Sequence, residues 1–328
     1  MYDEVVKIGL HPEIIKMEGS FNIKYLFKLI KFIRRNKIDL IHSHLLGSNV
    51  YCSIAGICCH VPVISTFHGT VDSNLYGRML NLKFRLINAG SKYIVFVSEN
   101  LKKYYLNFTP LSKQKSITIY NGVDFDRFLN IENRCLRKEL GYNDNEVLIG
   151  SIGNIRDAKG YDILLQAASV VIKTFPLCKF IIAGEGCGEL YQNLLALRKM
   201  FGLEKYVTFL GFRHDIENML NSIDLFVLPS ITEGFSIAAV EAMAASKPVI
   251  ATKCGGPEEI AIDGETGFLI PPKDPEALAN GILNLLRNRR LAKKMGELGR
   301  KRVAENFTLE AMIHNYQELY KNCLLMNN

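Results

Sequence analysis

The chain has 328 residues, of which 48% are hydrophobic, and a formal net charge of +7. This length allows two ordinary domains, each with a sizeable core, since one domain takes roughly 150 residues. No run of about 18 apolar residues occurs, so the sequence predicts no membrane-spanning helix. The first residues lack the basic and then apolar order of a secretion signal, which predicts a cytoplasmic protein.

The positive charge is concentrated in residues 1–130. This part holds 17 Lys and Arg against 9 Asp and Glu, a balance of +8, whereas the remainder holds 23 against 24. The imbalance favours an anionic partner for the first part of the chain. The eight cysteines include no Cys-x-x-Cys pair, so we expect reduced thiols rather than disulfides or a zinc site.

In residues 1–145, short apolar runs alternate with amphipathic stretches. The predicted strands are 38–42, 62–66, 93–97 and 116–120, and the predicted helices are 25–35, 48–59 and 75–89. The polar stretch 130–145 is predicted to connect two domains. No short internal repeat or low-complexity tract interrupts this pattern.

The pattern is more complete from residue 147 onward. The predicted strands are 147–152, 179–183, 206–210, 224–228, 248–252 and 267–270. A helix follows Gly160, another covers 190–200, and Asp274 caps a third that has Pro275 at its first position. Strands separated by helices of this length predict βαβ units and a parallel sheet, so we expect two doubly wound α/β domains. In such sheets, ligands bind beyond the carboxyl ends of the strands.

The most informative motif is EGFSIAAVEAMA at residues 233–244, directly after a predicted strand. Gly234 lets the backbone approach a ligand, and the helix that begins near Phe235 or Ser236 offers unpaired N–H groups to a phosphate. Glu241 lies among apolar residues, where an unpaired carboxylate is costly, and ribose hydroxyls would supply a partner. The alternative is a partly exposed glutamate without a ligand.

Glu233 and Glu241, with seven residues between them, resemble the motif of the retaining glycosyltransferases of family 4. These enzymes have the GT-B fold of two Rossmann-like domains facing a cleft. Further pieces resemble the family in the same order along residues 25–322. They are TFHG at 66–69, NGVD at 121–124, GNIRDAKG at 153–160, AGEG at 183–186, FLGF at 209–212 and CGGPE at 254–258. The resemblance implies an acceptor-side domain at 1–130, a nucleotide-sugar domain at 145–305 and a C-terminal helix at 306–328.

The resemblance also implies roles for single residues. Lys159 would neutralise the donor diphosphate, Glu241 would bind the ribose, and Glu233 would contact the donor sugar. His68 would lie across the cleft near the reacting sugar, and residues 210–213 would line the base pocket. Together, His68, Lys159 and Glu233 are the implied catalytic residues, without a protein nucleophile. The implied donor site consists of Asn154, Arg156, Lys159, Gly184, Gly186, Gly211, Phe212, Arg213, Glu233, Gly234, Phe235, Ser236 and Glu241.

The implied reaction transfers a hexose from a nucleotide diphosphate sugar, with a UDP-sugar as first choice and GDP-mannose as second. It needs no bound metal or cofactor, and stabilising the charged leaving group is its main catalytic task. The implied acceptor is a lipid-linked or polysaccharide intermediate of an envelope, capsule or lipopolysaccharide pathway. A GT-B-type epimerase and a non-catalytic nucleotide-sugar-binding protein remain alternatives.

Two departures from the family pattern bear on these roles. Asn154 stands where the family often has arginine, and Arg156 could substitute for it. A first strand and a glycine-rich loop, normally at the start of the family's first domain, are also missing, as if roughly 50–70 residues were absent. This second departure is the reason for the non-catalytic alternative.

Three other patterns have less specific interpretations. Asp124 and Asp126 resemble a metal-binding Asp-x-Asp, but they follow a turn signal, which favours a structural role. His42 and His44 with His68 lack the companion spacing of a zinc site, so packing roles are favoured. The basic amphipathic stretch 24–35 is either a solvated helix face or a contact with an anionic membrane at the inner face, and no nucleic-acid-binding module accompanies it.

Overall fold

A computed structural model of the protein describes residues 2–16, 22–70, 78–128 and 135–325. The chain divides into two compact units. The first consists of Met1–Phe96, Tyr104–Ile117 and Glu318–Asn328, and the second of Val97–Lys103 and Thr118–Gln317. The domains predicted from the sequence were continuous, whereas each of these units consists of more than one segment of the chain.

The first unit is built on a four-stranded sheet in the order β1-β2-β3-β4, in which β1 pairs with β2 and β2 with β3 in parallel. Its strands are β1 (Ile41–His44), β2 (Val63–Phe67), β3 (Tyr93–Phe96) and β4 (Ser116–Thr118). The helices of this part of the chain are α1 (Tyr2–Lys7), α2 (Ile23–Arg35), α3 (Leu46–Cys59), α4 (Arg78–Gly90) and α5 (Glu99–Phe108). Of the helix predicted over 75–89, residues 75–77 lie outside the described residues.

Helix α2 forms because its apolar residues recur at helical spacing and Asn22 caps its start, accepting a hydrogen bond from the Tyr25 N–H at 3.0 Å. Ile33 on its apolar face packs in a small core with Ala55 and Val63. The strand predicted over 38–42 was placed too early. Lys37 has a φ of 50°, and the N–H of Ile38 bonds to the Ile33 carbonyl, so these residues close the helix and the strand begins only at Ile41.

A cluster of aromatic side chains fills the other part of this core. The Phe67 ring lies 4.7 Å from Tyr105 and 5.4 Å from Phe96, and Phe84 packs beside them. All four side chains are almost completely buried. Because Phe67 ends β2, its packing fixes where the following loop, which carries His68, leaves the sheet.

The second unit is built on six parallel strands in the order β10-β9-β8-β5-β6-β7. Its strands are β5 (Val147–Ile152), β6 (Cys178–Ala183), β7 (Val207–Gly211), β8 (Leu225–Leu228), β9 (Val249–Thr252) and β10 (Gly267–Ile270). Its helices are α6 (Cys135–Glu139), α7 (Tyr161–Thr174), α8 (Gly188–Met200), α9 (Ile216–Ser222), α10 (Ile237–Ala244), α11 (Pro257–Ile260), α12 (Pro275–Arg287), α13 (Arg289–Asn306) and α14 (Leu309–Leu325), the last of which continues into the first unit.

The strands of this sheet are buried on both faces, as expected for a parallel sheet covered by helices. Leu164 of α7, Phe180 of β6 and Ile282 of α12 belong to one continuous apolar core. The predicted start of α12 is confirmed, because Asp274 accepts a hydrogen bond from the Ala277 N–H at 2.8 Å and Pro275 follows it. All six strands predicted in this part occur, with ends that differ from the prediction by one residue at most.

The stretch predicted as a polar connection over 130–145 is only partly a loop. Residues 129–134 lie outside the described residues, but α6 follows them, and its Leu136 and Arg137 are buried. The Arg137 guanidinium donates to the carbonyls of Ser222 and Glu146 at 2.8 and 2.9 Å, and to Asp224 Oδ2 at 2.6 Å. One buried, charged side chain therefore supplies hydrogen bonds to backbone carbonyls before the amino ends of β5 and β8. The polar composition of this stretch had predicted an exposed connection instead.

We expect Arg137→Met to destabilise the second unit by about 3 kcal/mol, because the Arg137 side chain is only 3% exposed and its loss leaves the Ser222 and Glu146 carbonyls without their donor. Urea unfolding would measure the change. Lys138→Met is the matched control, since Lys138 is the next residue and is exposed. Equal midpoints for the two variants would contradict a structural role for Arg137.

Candidate functional site

The strand order of the second sheet reverses between β5 and β8. The chain builds β5, β6 and β7 outward on one side and then β8, β9 and β10 on the other. The two central strands are in register at Ile149–Leu225 and Gly150–Phe226, so their carboxyl ends lie side by side. A doubly wound sheet binds its ligands at this switch point. Lys159 lies in the loop after β5, and Glu233 lies in the loop after β8.

The loop after β5 holds a sharp turn that only glycine can make. Residues Asp157–Lys159 form a short 3₁₀ helix, which ends at Gly160 with a φ of +61°. A Cβ at Gly160 would stand 2.2 Å from the Pro229 carbonyl oxygen, so a side chain there is excluded. The backbone of this loop thus presses against the end of β8, which brings Lys159 beside the second loop.

Lys159 and Glu233 form an ion pair, with 2.7 Å between Lys159 Nζ and Glu233 Oε2. Their side chains are 22% and 14% exposed, and the Ser230 hydroxyl donates to the same carboxylate oxygen at 3.1 Å. An ammonium group has three N–H donors. One is occupied by Glu233, which leaves two N–H groups of a half-buried cation for an anionic ligand.

The loop after β8 leads into α10. Ser236 is its N-cap, and the Ser236 hydroxyl accepts a hydrogen bond from the Ala239 N–H at 3.3 Å. The helix therefore starts at Ile237, slightly later than predicted, and Gly234 lies in the loop before it. Phe235 is buried, and its ring packs against Tyr120 and Phe307 at 6.0 and 5.7 Å. Its side chain anchors the loop, so only its backbone remains for a ligand.

Glu241 lies one turn into α10, between the buried residues Val240 and Ala242. Its carboxyl group is partly buried and has no hydrogen-bond partner among the described residues. Burial raises the pKa of Glu241 to about 7; Arg127 opposes this shift and Glu217 adds to it. Arg127 is itself ion-paired with Glu217, which limits its effect on Glu241. A carboxyl group held in this way is suited to hydrogen-bond donors that a ligand brings.

Loops after β6 and β7 complete this edge of the sheet. A Cβ at Gly184 would stand 2.0 Å from the Gly153 carbonyl oxygen, and one at Gly186 would clash with Ile155. The exposed Asn154 accepts a hydrogen bond from the Glu185 N–H at 3.1 Å, which links the two loops. Arg156 is exposed and has no side-chain partner among the described residues.

Three residues at the end of β7 and in the loop after it differ in how accessible they are to a ligand. Gly211 has open space around it, and the Phe212 ring is 63% exposed beside His214. Arg213, in contrast, is fully engaged: it donates to Asp215 at 2.8 Å from two nitrogens and to Glu139 at 2.8 and 3.0 Å. The bonds that Asp215 accepts from Arg213, with a further one from Asn218, lower the pKa of Asp215 to about 2. The guanidinium of Arg213 is therefore a structural group rather than a free cation.

Sequence reasoning missed a set of contacts that hold these loops. The Ser98 hydroxyl donates to the Gly234 carbonyl at 2.7 Å, and the Asn100 amide donates to the Gly255 carbonyl at 2.9 Å. Glu259 accepts hydrogen bonds from the N–H groups of Glu99 and Asn100 at 2.8 and 2.6 Å, which caps α5. None of these contacts was predicted from the sequence, since the partners lie 136 to 160 residues apart.

His68 belongs to the first unit. It is exposed just after β2, and its Nε2 lies 2.8 Å from Nδ1 of His44 at the end of β1. His42 bonds to Tyr320 at 2.7 Å and to Thr66 at 2.8 Å. Partial desolvation of the rings by their neighbours lowers the pKa of all three histidines, that of His42 to about 4, although His44 and His68 keep an exposed side. Mutual repulsion adds to the effect for His42 and His68. This cluster presents neutral imidazole rings near pH 7.

Among the described residues, no group of three or more His, Cys, Asp or Glu side chains could hold a metal ion. Asp126 lies in the short 3₁₀ helix Phe125–Phe128. No helix in the described part of the chain is both long enough and apolar enough to cross a membrane.

The sheets and the charged switch point define the class of Rossmann-like α/β proteins. Residues 133–302 match the family of Glycosyl transferases group 1, and residues 2–127 match Glycosyltransferase Family 4. The chain belongs to the family 4 glycosyltransferases, and it is a transferase enzyme. The family predicted from the motifs is thus confirmed.

Relatives match most of the chain. N-acetyl-alpha-D-glucosaminyl L-malate synthase of Bacillus anthracis is 28% identical over 302 residues, which are 90% of this chain and 78% of the relative. UDP-Gal:alpha-D-GlcNAc-diphosphoundecaprenol alpha-1,3-galactosyltransferase of Escherichia coli is 26% identical over 310 residues, which are 91% and 79%. The structure of Anabaena HepE in complex with UDP and glucose has a TM-score of 0.89 at 22% identity, covering 98% of this chain and 88% of HepE. This likeness confirms the predicted α/β, GT-B class.

The unpartnered carboxyl of Glu241 should cost stability at high pH. Its pKa in the folded protein, about 7, lies above the ordinary value of 4.5, so the folded state binds the proton more tightly and stability falls as pH rises from about 4.5 to 7. Glu241→Gln is neutral throughout. At pH 8, we expect its free energy of unfolding to exceed that of the parent by on the order of 2 kcal/mol, which thermal unfolding would show as a higher melting temperature. Near pH 4.5, the two proteins should unfold at the same temperature.

Glu204→Gln is the control, because Glu204 is exposed. It should leave the melting temperature unchanged at both pH values. A Glu241→Gln variant that is less stable than the parent at pH 8 would show that the carboxylate has a stabilising partner.

Proposed function

We propose that this enzyme moves a hexosyl group from a nucleotide diphosphate sugar to a lipid-linked or polysaccharide acceptor of cell-envelope glycan synthesis, with retention of the anomeric configuration. The preferred donor is a UDP-sugar, and GDP-mannose is the second choice. One observation carries the proposal. Lys159 and Glu233 meet at the switch point of the second sheet, which brings together a cation for a diphosphate and a carboxylate for a sugar.

The leaving nucleoside diphosphate carries much negative charge, and stabilising it is the main requirement of the reaction. The two free N–H groups of Lys159 can bind its phosphate oxygens while the third keeps its bond to Glu233. Backbone N–H groups around Phe235 and Ser236, before the positive end of α10, add a second source of stabilisation. In this proposal, groups of the protein stabilise the negative charge of the diphosphate, and no metal ion is needed.

Glu241 is assigned to the ribose of the donor. Ribose hydroxyls are hydrogen-bond donors, and the Glu241 carboxyl is partly buried without a partner among the described residues. Binding would supply the missing hydrogen bonds and offset the cost of burying the charge. The exposed Phe212 ring, after the open turn at Gly211, is assigned to the base.

The names of the relatives support the choice of donor and acceptor. The Escherichia coli relative uses UDP-galactose and an acceptor linked to diphosphoundecaprenol, as its name states. The Bacillus anthracis relative is named for a malate product, so acceptors differ within the family. A lipid-linked acceptor for this chain therefore needs support from its own surface.

That support comes from α2 in the first unit. Lys24, Lys28, Lys31 and Arg35 lie along one exposed stripe of this helix, and none has a partner among the described residues. Phe27 beside them is 66% exposed. Lys28, Lys31 and Arg35 also line an open groove of about 460 Å³ with Ile14, which is 68% exposed, and Lys16.

Unpaired cations interleaved with exposed apolar side chains match the chemistry of an anionic bilayer surface, where the headgroups are charged and the interior is apolar. We assign this face to peripheral binding at the inner, cytoplasmic face of the membrane. His68, in the same unit, is assigned to the acceptor side of the reaction.

Lys159→Ala should remove most of the stabilisation that UDP gives the protein. At a UDP concentration about 100 times the dissociation constant, the parent should gain roughly 2.7 kcal/mol. The variant lacks the cation that neutralises the diphosphate, so its melting temperature should hardly change at the same UDP concentration. Differential scanning fluorimetry with and without UDP measures both shifts.

Glu233→Gln separates loss of the cation from loss of the ion pair, because it breaks the pair but keeps Lys159. This variant should still be stabilised by UDP while its transfer rate falls. Lys205→Ala, which changes an exposed lysine before the amino end of β7, is the control for general charge. If Lys159→Ala gains as much from UDP as the parent does, the diphosphate assignment is wrong.

The chain should bind vesicles that contain anionic lipid, and the triple variant Lys28→Glu/Lys31→Glu/Arg35→Glu should not. Binding should weaken steeply between about 50 and 500 mM salt, since it depends on screened charge. Flotation of the protein with vesicles of neutral and of anionic composition measures this binding.

The control variant is Lys293→Glu/Lys294→Glu/Lys301→Glu, which makes the same change in net charge on exposed residues of α13. It should float like the parent. Equal loss of flotation in both triple variants would show a general charge effect, and equal flotation of all three proteins would show that the α2 face is only solvated.

A further inference from the structure

The first unit places two histidines at the carboxyl ends of adjacent parallel strands. His44 is the last residue of β1, and its register partner in β2 is Thr66. His68 follows two residues later, just beyond the end of β2. The carboxyl ends of parallel strands are where this class of sheet binds ligands, and both imidazole rings lie there.

The two rings are joined by a hydrogen bond. His44 Nδ1 and His68 Nε2 are 2.8 Å apart, and the rings meet edge to edge, with 5.1 Å between centroids and 29° between their planes. A neutral pair has one proton between these nitrogens. If His68 donates it, each residue carries its single ring proton on Nε2, which is the tautomer that a neutral histidine side chain prefers. Nδ1 of His68, which bonds to no described residue, is then an unprotonated acceptor.

The backbone beside His44 is strained in a way that holds this arrangement. Leu45 has a φ of 71° and a ψ of 152°, a region that side-chain-bearing residues rarely adopt, and its side chain is 63% exposed. The N–H of Leu45 bonds to the Thr66 carbonyl at 3.2 Å, which ties the turn after β1 to β2. No burial of the Leu45 side chain compensates for this conformation, so the strain serves the placement of the turn.

Groups around the pair favour its neutral form. His42 of β1 lies 4.2 Å from His44 between ring centroids and bonds to Tyr320 of α14. From α5, Tyr105 donates to the carbonyl of Gly69, next to His68. Burial lowers the pKa values of His44 and His68, and repulsion from His44 lowers that of His68 further. Both rings are therefore neutral near pH 7, as a hydrogen bond between two ring nitrogens requires.

We propose that His44 is a positioning residue: its Nδ1 accepts the Nε2–H of His68 and so turns the free Nδ1 of His68, as an unprotonated acceptor, towards a hydroxyl group of the bound acceptor. The proposal rests on the proposed function, in which His68 serves the acceptor side of the reaction. It adds a second histidine that acts only through the first.

Two substitutions at His44 separate hydrogen bonding from bulk. In His44→Asn, the amide oxygen can take the place of Nδ1 and accept from His68, whereas His44→Leu has a similar shape and no acceptor. At pH 8, the leucine variant should lose about tenfold in kcat/KM for the acceptor, as expected for one hydrogen bond, and the asparagine variant should keep most of it. The KM for the donor should stay the same in both.

The pH profile tests the same arrangement independently of bulk. Both variants lack the positive charge that His44 can carry, so the pKa of His68 should rise, and the acid limb of kcat/KM should move to higher pH by about half a unit. His60→Asn is the control. It changes an exposed histidine at the end of α3 in a left-handed conformation that asparagine tolerates, and it should leave the profile unchanged.

Nitrogen NMR of the full chain tests the pair without any turnover. His68 should show a protonated Nε2 and an unprotonated Nδ1 at pH 8, and this state should be lost in His44→Leu. The reverse tautomer, or equal rates for the leucine and asparagine variants at pH 8, would overturn the proposal. A parent that fails to transfer any sugar would contradict the proposed function, and the NMR result would then decide the histidine pair alone.

Discussion

The arrangement of the candidate donor site depends on one constraint, the adjacent carboxyl ends of β5 and β8. These strands pair in parallel, so the loops that follow them leave the sheet at the same edge. Lys159 and Glu233 therefore meet, although 74 residues separate them in sequence. Gly160 is what allows the approach, since any side chain there would meet the Pro229 carbonyl. The ion pair between Lys159 and Glu233 follows from this convergence.

Parts of the site oppose the stability of the fold. Glu241 is a carboxyl group among apolar neighbours, and Leu45 adopts a backbone conformation that ordinarily suits glycine. Neither is explained by packing. Each lies in a loop or helix turn at the carboxyl end of a parallel strand, where stability is commonly exchanged for a ligand contact. The well-packed core residues, such as Leu164 and Phe180, lie away from these ends and supply the stability that such features need.

Much of the fold could be predicted from the sequence, because the strands of the second sheet are short apolar runs buried on both faces. Their residues are recognised by composition alone. The start of β1 could not be placed, since the helix-closing conformation of Lys37 is not visible in a pattern of polar and apolar residues. Helix α6 was missed for a related reason. Arg137 is charged, so the stretch around it was predicted to be exposed, whereas the side chain is buried and donates to the Ser222 and Glu146 carbonyls.

The candidate site was predictable only as far as local motifs reach. Lys159, Glu233 and Glu241 were identified by resemblance, and their roles remain proposals. Arg213 has the charge expected of a donor-binding residue, but its bonds to Asp215 and Glu139 depend on tertiary structure. The same is true of Ser98 and Asn100, whose partners are remote in sequence. Long-range hydrogen bonds leave no periodic trace, so no pattern could have indicated them.

The exchange of chain segments between the units bears on how such an enzyme can be recombined. Ser98 and Asn100 precede most of the second unit in sequence, yet they cap and tether its loops at Gly234 and Gly255. The last helix likewise begins in one unit and ends in the other. A chimaera made by a single crossover near residue 130 would therefore join α5 from one parent to glycine loops from another. Successful domain shuffling in this chain requires that residues 97–103 travel with the second unit, and residues 318–325 with the first.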